Sequence, residues 1–433
     1  MTDQHGAALK RNLESVVSRR LEQEPVVVVT GARTVGKSTL LANYAKTHGV
    51  EVTDLDDVET FQVVSDNPAT FVSGNAEPVC IDEFQHAPEL LSAIKAELNR
   101  DLRPGRYLLT GSTRYDMLPR ASQSLTGRVH VMTLWPLSQG ELRGERETFL
   151  DQLLTAPENL LGPTRSTFTR ADYEQVILAG GFPIAVNRSA PADRRRWFSD
   201  FVERVIERDV MEIRRVRQRG ALPTVLRALA SRTGGVLNAS AIASDLGMEA
   251  RTVGDFITLL ESVFLVHRLE AFSRTLSTRV GRSPKVHLVD SGLACHLMGI
   301  TERKLARRRP ATLTEFGHAV KTFVVDEILK QGGWAQESVR FSHLRTRDQH
   351  EVDLVIETDE GLVAGIEVKA AEKVSDADFR GLRMLRDRLG EDFIGGAVIN
   401  MGRYRYQYDE RLFVFPLDTV WSSEPIREAA PDS

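Results

Sequence analysis

GARTVGKST, Gly31 to Thr39, is the stretch on which the reading of this chain turns. The apolar run VVVV, Val26 to Val29, precedes it, and the helix-compatible LLANYAKT, Leu40 to Thr47, follows. Gly31, Gly36, Lys37 and Ser38 satisfy every fixed position of G-x-x-x-x-G-K-[ST]. Glycine lets backbone N–H groups face inward with no Cβ in the way. The free N–H groups and dipole of a helix N-terminus favour negative charge. The loop residues Gly31, Ala32, Arg33, Thr34, Val35, Gly36, Lys37, Ser38 and Thr39 are therefore expected to cradle the phosphates of ATP. Lys37 is expected to reach the β- and γ-phosphates, and the Ser38 hydroxyl to ligate Mg²⁺.

A phosphate loop is answered by a second apolar strand that ends in acid. EPVCIDEFQ, Glu77 to Gln85, supplies it. Val79, Cys80 and Ile81 read as a buried parallel strand, with Asp82 at its end to hold the Mg²⁺ shell. Glu83 is placed to polarise an attacking water, and the second acid favours ATP hydrolysis over a simple kinase. RYLLTGST, Arg106 to Thr113, reads as a third strand, with Thr110 or Ser112 near the γ-phosphate. SLTGR ends at Arg128, an arginine that a neighbouring subunit's nucleotide would meet. Arg114 and Arg120 compete for the same role.

With 433 residues the chain is expected to form two or three domains. We place them at 1–155, 156–305 and 306–425. Apolar content of 42% fills real cores, and a net charge of −4 confines any polyanion surface to local patches. Cys80 and Cys295 lie in apolar settings and read as reduced core thiols, as in a cytoplasm. The N-terminal residues show no signal-peptide pattern. No run approaches the ~18 apolar residues of a membrane helix, so no membrane association is expected.

Residues 1–155 alternate strand and helix around these motifs, the pattern of a parallel sheet covered by helices. HAPELLSAIKAELNR spaces its apolar residues as an amphipathic helix, and TAPENLLGPTRSTFT reads as a boundary. The next region is helical. DRRRWFSDFVERVIERDVMEIRRVRQRG sets one apolar face against an arginine-rich one, Arg194 to Arg196 and Arg214 to Arg219. LNASAIASDLGMEARTVGDFITLLESVFLVHRLEAF has the order of a winged helix, although Glu249, Arg251 and Asp255 make a poor phosphate-seeking face. RKLARRRP, Arg303 to Pro310, reads as a linker.

A third pattern begins near 313. FGHAVKTFVVDEILKQGG is a helix stopped by glycines, and HEVDLVIETDEGLVAGIEVKAAEK gives two strands around the turn DEG. Asp353 lies on the first strand. Glu367 and Lys369 share a face of the second by period-2 alternation. Two carboxylates with a lysine form a possible second cation site. The alternative is a solvent-facing ion-pair ladder across a hairpin. This D…E-x-K pattern resembles the restriction-endonuclease-like nucleases.

Taken together, the chain resembles a prokaryotic family that pairs an AAA-type P-loop ATPase with a C-terminal domain of unknown function. The resemblance rests on the phosphate loop, DLDDVET, IDEFQHAPELL, LTGST, SLTGR, GGFP, ERDV, SPKVHLVDSGLA and EVDLVIE…GIEVKAA, in that order. It implies an α/β chain: a P-loop sheet, then a helical and winged-helix region, then an endonuclease-like α/β fold. It also implies ATP and Mg²⁺ as ligands. One position departs. The family places Glu where this chain has Lys321, so an ammonium stands where a helix acid would complete the metal site. Restoring that acid by Lys321→Glu is expected to strengthen metal binding if the site is otherwise intact.

The function expected is that of a cytoplasmic, oligomeric ATPase acting on DNA as a motor or switch. The alternatives are a nucleotide switch with a protein partner in a defence or stress system, and an ATP-gated DNA nuclease.

Overall fold

Val26–Thr30 (β1) is a run of β-branched residues, and its valines are fully excluded from solvent. Burial on both faces is what a central parallel strand requires. In the computed structural model, β1 pairs on both sides in parallel, with Tyr107–Gly111 (β4) and Val129–Thr133 (β5). Val52–Asp54 (β2) and Val79–Asp82 (β3) complete the sheet, in the order β2-β3-β4-β1-β5. The structure describes residues 9–74, 77–117, 125, 127–162, 165–213, 219–274, 283–346 and 348–422.

Two compact units share the chain, and neither is contiguous. The first takes residues 1–137, 182–226 and 242–266. The amphipathic helix expected after the acidic pair runs Glu89–Leu98, and its Leu90, Leu91 and Ile94 enter the core beneath the sheet. The strand ends that carry Thr30, Asp82 and Gly111 point the same way, because all pairings are parallel. Loops after such strands form one crevice, the usual ligand position of an open α/β sheet.

The second unit takes residues 138–181, 227–241 and 267–433. The boundary expected near 155 falls inside it. The reason is packing: Phe149, Leu150 and Leu153 join the apolar cluster of the six-stranded sheet. Strand Lys285–Leu288 (β8) pairs with Gly235–Val236 (β6), and Val266–Leu269 is β7. The six-stranded sheet is built from Val339–Arg345 (β9), Glu351–Thr358 (β10), Val363–Lys369 (β11), Phe393–Asn400 (β12), Tyr406–Asp409 (β13) and Leu412–Pro416 (β14). Its order is β13-β14-β12-β11-β10-β9. RKLARRRP is not an extended linker. It ends the helix Glu302–Ala306 and starts the helix Pro310–Gln331, with Arg308 at φ 48° in the turn between them.

The elements expected of a winged helix are helices Ala239–Leu246 and Ala250–Ser262 and strand Val266–Leu269. No helix among the described residues is long and apolar enough to cross a membrane.

Glu147 is buried in the second unit and accepts the Gly140 N–H at 2.7 Å. Burial, and then the Glu327 charge, raise its pKa from 4.5 to about 7. Through that window the unfolded chain has released a proton that the folded chain keeps. Stability therefore falls as pH rises. Glutamine accepts the same N–H and does not titrate. Glu147→Gln should lose less stability than the wild type between pH ~5 and ~7.5 in urea melts. Identical pH slopes would refute this assignment.

Candidate nucleotide site and the acidic cluster of the second unit

The loop after β1 is held open by its neighbours. Gly36 has φ 104°, and Thr34 adopts φ 66°, a left-handed conformation that costs energy for a β-branched residue. The helix Lys37–His48 starts immediately beyond. Arg11, buried at 7% exposure, donates to Val35 O and to Trp135 O at 2.7 Å each. Arg33 donates through Nε to Asp209 Oδ2 at 3.2 Å, and the ion pair brings Oδ1 of the same carboxylate to 3.1 Å. Asp209 ends a π-helical turn, Val205–Asp209, that interrupts the long helix begun at Pro191. Single π-turns of this kind occur frequently at functional sites. Arg11 was not singled out from sequence, and ERDV entered only through the resemblance.

Lys37 lies 4% exposed and donates to Gly31 O at 3.1 Å and Ala32 O at 3.0 Å. Burial lowers its pKa, against the pull of Glu83 and Asp82. The nearby acids come from strand order. β4 lies between β1 and β3, so Thr110 and Ser112 stand between the phosphate loop and the acidic pair. Asp82 accepts from the hydroxyls of Ser38 and Thr110. Burial raises the Asp82 pKa, with those two hydroxyls pulling it back. Thr110 is fully buried and thus aims Asp82. A carboxylate and a serine hydroxyl, both oxygen donors, suit Mg²⁺. The residues present therefore fit the ATP and Mg²⁺ that the loop implies.

Glu83 sits at φ 52°, a second left-handed residue in the crevice. Its Oε2 accepts from Gln85 Nε2 at 2.6 Å and from the Ser112 N–H at 3.1 Å. Gln85 Nε2 also donates to Ser112 Oγ at 3.1 Å. Burial alone would raise the Glu83 pKa, but Lys37 and the Gln85 bond carry it below the ordinary value. A Cβ at Gly111 would lie 2.6 Å from Gln85 Oε1 and 2.7 Å from the Phe84 ring. Only glycine there leaves room for the turn that brings Gln85 onto Glu83. Gln85 was quoted in IDEFQ without a role, since nothing local announces it.

Arg128 takes a different place. Val129 pairs with Val26, whereas the phosphate loop begins beyond Thr30 at the other end of β1. Five residues of strand separate them, roughly 16 Å. Arg128 donates to Asn99 Oδ1 at 2.6 Å. It does not approach the loop of its own chain. Arg114 pairs with Asp116 and Glu261. Arg120 and the segment 214–218 lie outside the described residues.

In the second unit, β10 and β11 pair antiparallel and bring Asp353 and Glu367 to one place, as expected of the hairpin. The two are buried, at 1% and 5% exposure, so they form no solvent-facing ladder. The Val368 N–H donates to Asp353 Oδ2 at 3.0 Å. Asp353 Oδ1 receives two ammonium groups, Lys285 at 2.7 Å and Lys321 at 2.8 Å. Lys285 also pairs with Glu351 at 2.5 Å. Burial would raise the Asp353 pKa, but the two lysines hold it far below the carboxylate range. Glu367 pairs through Oε1 with Lys369 at 3.0 Å, and its Oε2 is buried without a hydrogen-bond partner. Burial, then the Asp353 charge, raises its pKa to about 8.

Lys321 thus stands where the sequence placed it, against the acid pair. Lys285, which the sequence did not single out, doubles it. A Lys321→Glu exchange alone would leave the Lys285 ammonium on the same oxygen, so the site is not otherwise intact. Glu327 accepts from Lys330 and from the Gln139 N–H and takes no part in this cluster. Among the described residues no His, Cys, Asp and Glu side chains gather as a metal-binding group.

Residues 23–143 match the AAA domain family. Residues 170–304 and 316–420 match two domains of unknown function, DUF8612 and DUF4143. Uncharacterized proteins of Mycobacterium tuberculosis and Mycobacterium bovis are each 24% identical over 420 residues, covering 97% of this chain and 86% of theirs. Among solved structures, the Walker-type ATPase of Pyrococcus abyssi is 16% identical at TM-score 0.38. It covers 68% of this chain and 97% of its own. The RuvB Holliday junction branch migration motor of Thermotoga maritima is 18% identical at TM-score 0.27, covering 59% and 88%.

Lys285 has a side chain only 1% exposed, whereas Lys321 is 24% exposed. Asp353→Ala removes the carboxylate that both share. It should cost about 3 kcal/mol, because a buried charge loses its main partner. Lys321→Ala should cost clearly less. Urea denaturation of the two variants checks the difference, and equal losses would show that the buried pair is not its source.

Proposed function

We propose that this chain, an AAA-type P-loop ATPase with a C-terminal domain of unknown function, hydrolyses ATP with Mg²⁺ and acts on DNA as an oligomer. One observation carries the ATPase reading: Asp82 is held by Ser38 and Thr110 while Glu83 beside it is held by Gln85 and Ser112. Mg²⁺, when bound, neutralises charge on the phosphates. Ser38 and Asp82 would hold it. Lys37 gives up the carbonyls of Gly31 and Ala32 for phosphate oxygens. Glu83 accepts a proton from water, and Gln85 keeps its carboxylate aimed at that task.

The AAA assignment and the position of Arg128 are what favour an oligomer. An arginine at the far end of the sheet can serve a nucleotide only in a neighbouring copy. The third module reads as non-cleaving, because two ammonium groups occupy the carboxylate that a divalent cation would need. Little or no cleavage of linear DNA is expected with Mg²⁺ or Mn²⁺.

Three variants test the hydrolytic site. Lys37→Ala should weaken ATP binding at least tenfold, about 1.4 kcal/mol. Glu83→Gln should bind ATP and fail to release phosphate. Gln85→Ala should lower kcat roughly tenfold with KM for ATP unchanged, since only the transition state uses the aimed carboxylate. Wild-type turnover by Glu83→Gln would remove Glu83 as the base.

Arg128→Ala should bind ATP in each subunit yet lose hydrolysis. Mixed with Lys37→Ala protein, it should regain part of the activity at shared interfaces. Oligomers seen by light scattering without such rescue would rule out action in trans.

A further inference from the structure

RYRYQYDERLF, Arg403 to Phe413, leads into β13 and β14, and no role has yet been given to it. Tyr404 and Tyr406 are 61% and 40% exposed, and among the described residues they are the aromatic side chains left exposed. Large aromatics are normally buried, so two of them in water two residues apart ask for a partner. They alternate with Arg403 and Arg405.

The surroundings extend the pattern. The Arg165 guanidinium lies over the Tyr404 ring at 4.9 Å. The register of β13 slips between Gln407 and Asp409. Tyr408, the extra residue, stacks flat on Phe379 at 3.9 Å, with Arg383 over its ring at 5.6 Å. Asp376 and Asp409 are engaged by Arg383 and Arg386. Arg165, Arg403 and Arg405 have no ion pair among the described residues. The Arg403 charge reaches Asp172, and the chain as a whole carries a net charge of −4.

β13 is the outer strand of its sheet. The turn Pro157–Leu161 lies against β13, and the two tyrosine rings are what stands exposed beside it. Tyr404 precedes β13, and two residues of extended chain span at most roughly 7 Å, about twice the ~3.4 Å rise per base in a duplex strand. Rings at that interval take bases that have been drawn apart. A duplex keeps its base faces stacked inside.

We propose that Tyr404 and Tyr406, with Arg165, Arg403 and Arg405, form a binding surface for single-stranded nucleic acid. Bases stack on the tyrosines, and the arginines meet the phosphates. This deepens the DNA reading above and rests on it for the partner class. The surface shares no residue with the ATP machinery.

Full-length protein is titrated into fluorescein-labelled oligothymidylate, and into a duplex of the same length, at low and physiological salt. Anisotropy reports binding. Tighter binding of the single strand is expected, weakening steeply with salt. Tyr404→Ala and Tyr406→Ala should each lose roughly tenfold in affinity, within the cost of one stacked base. Tyr404→Phe should lose little. Arg403→Glu with Arg405→Glu should flatten the salt dependence. Basal ATP turnover should not change in any of them, and melting temperature should not change in the tyrosine variants. Affinity equal to wild type in the Tyr404→Ala, Tyr406→Ala double variant, or preference for the duplex, overturns this surface alone. No binding of either probe by the wild type overturns it together with the DNA-acting part of the reading above.

Discussion

The parallel pairing of β1 with a strand on each side is the constraint from which the first unit follows. A strand hydrogen-bonded on both edges and buried on both faces cannot shift its register without exposing valines. That fixes the point where the chain leaves the sheet at Thr30. Because β4 and β3 lie next in order on one side, their ends deliver Thr110, Ser112, Asp82 and Glu83 to the same crevice. β5 on the other side runs in the same sense, and so Arg128, which precedes it, is carried to the opposite end of the sheet.

The molecule buries two acidic pairs and treats them differently. Asp82 is satisfied by hydroxyls and Glu83 by an amide and a backbone N–H. Neutral partners lessen the cost of burial without cancelling the charge, which remains available to a cation. Lys37 rests on carbonyl oxygens, contacts that a phosphate can replace. In the second unit Asp353 is satisfied by two ammonium groups. A carboxylate compensated in that way has little left to offer a divalent cation. The difference between an open site and a closed one lies in the charge of the partners, since both pairs are similarly buried at strand ends or on paired strands.

Much of the nucleotide site was legible in the sequence. The phosphate loop, the strand end carrying Asp82 and Glu83, and the hydroxyls after β4 each lie within one turn or one strand, where spacing and residue type suffice. The hairpin of β10 and β11 was legible for the same reason, its two acids being joined by a short turn. Sequence alone did not mark Gln85 as the residue that holds Glu83, nor Arg11 as the support of the loop. It missed Lys285, 68 residues before the aspartate that it meets. The boundary near 155 also looked natural, with Pro and Gly in TAPENLLGP, until the packing of Phe149 and Leu153 put that segment elsewhere.

What the sequence by itself determined, then, is what fits inside a turn, a strand or a hairpin: a glycine loop at a helix start, an acid at a strand end, a pair of facing carboxylates. What only the tertiary structure decided is the partner of each buried charge. A carboxylate removed from water must be matched by whatever donor or cation the packing of distant segments brings within about 3 Å. That match is chosen by strand order and by the cost of leaving the group alone. Neither leaves a local mark in the sequence.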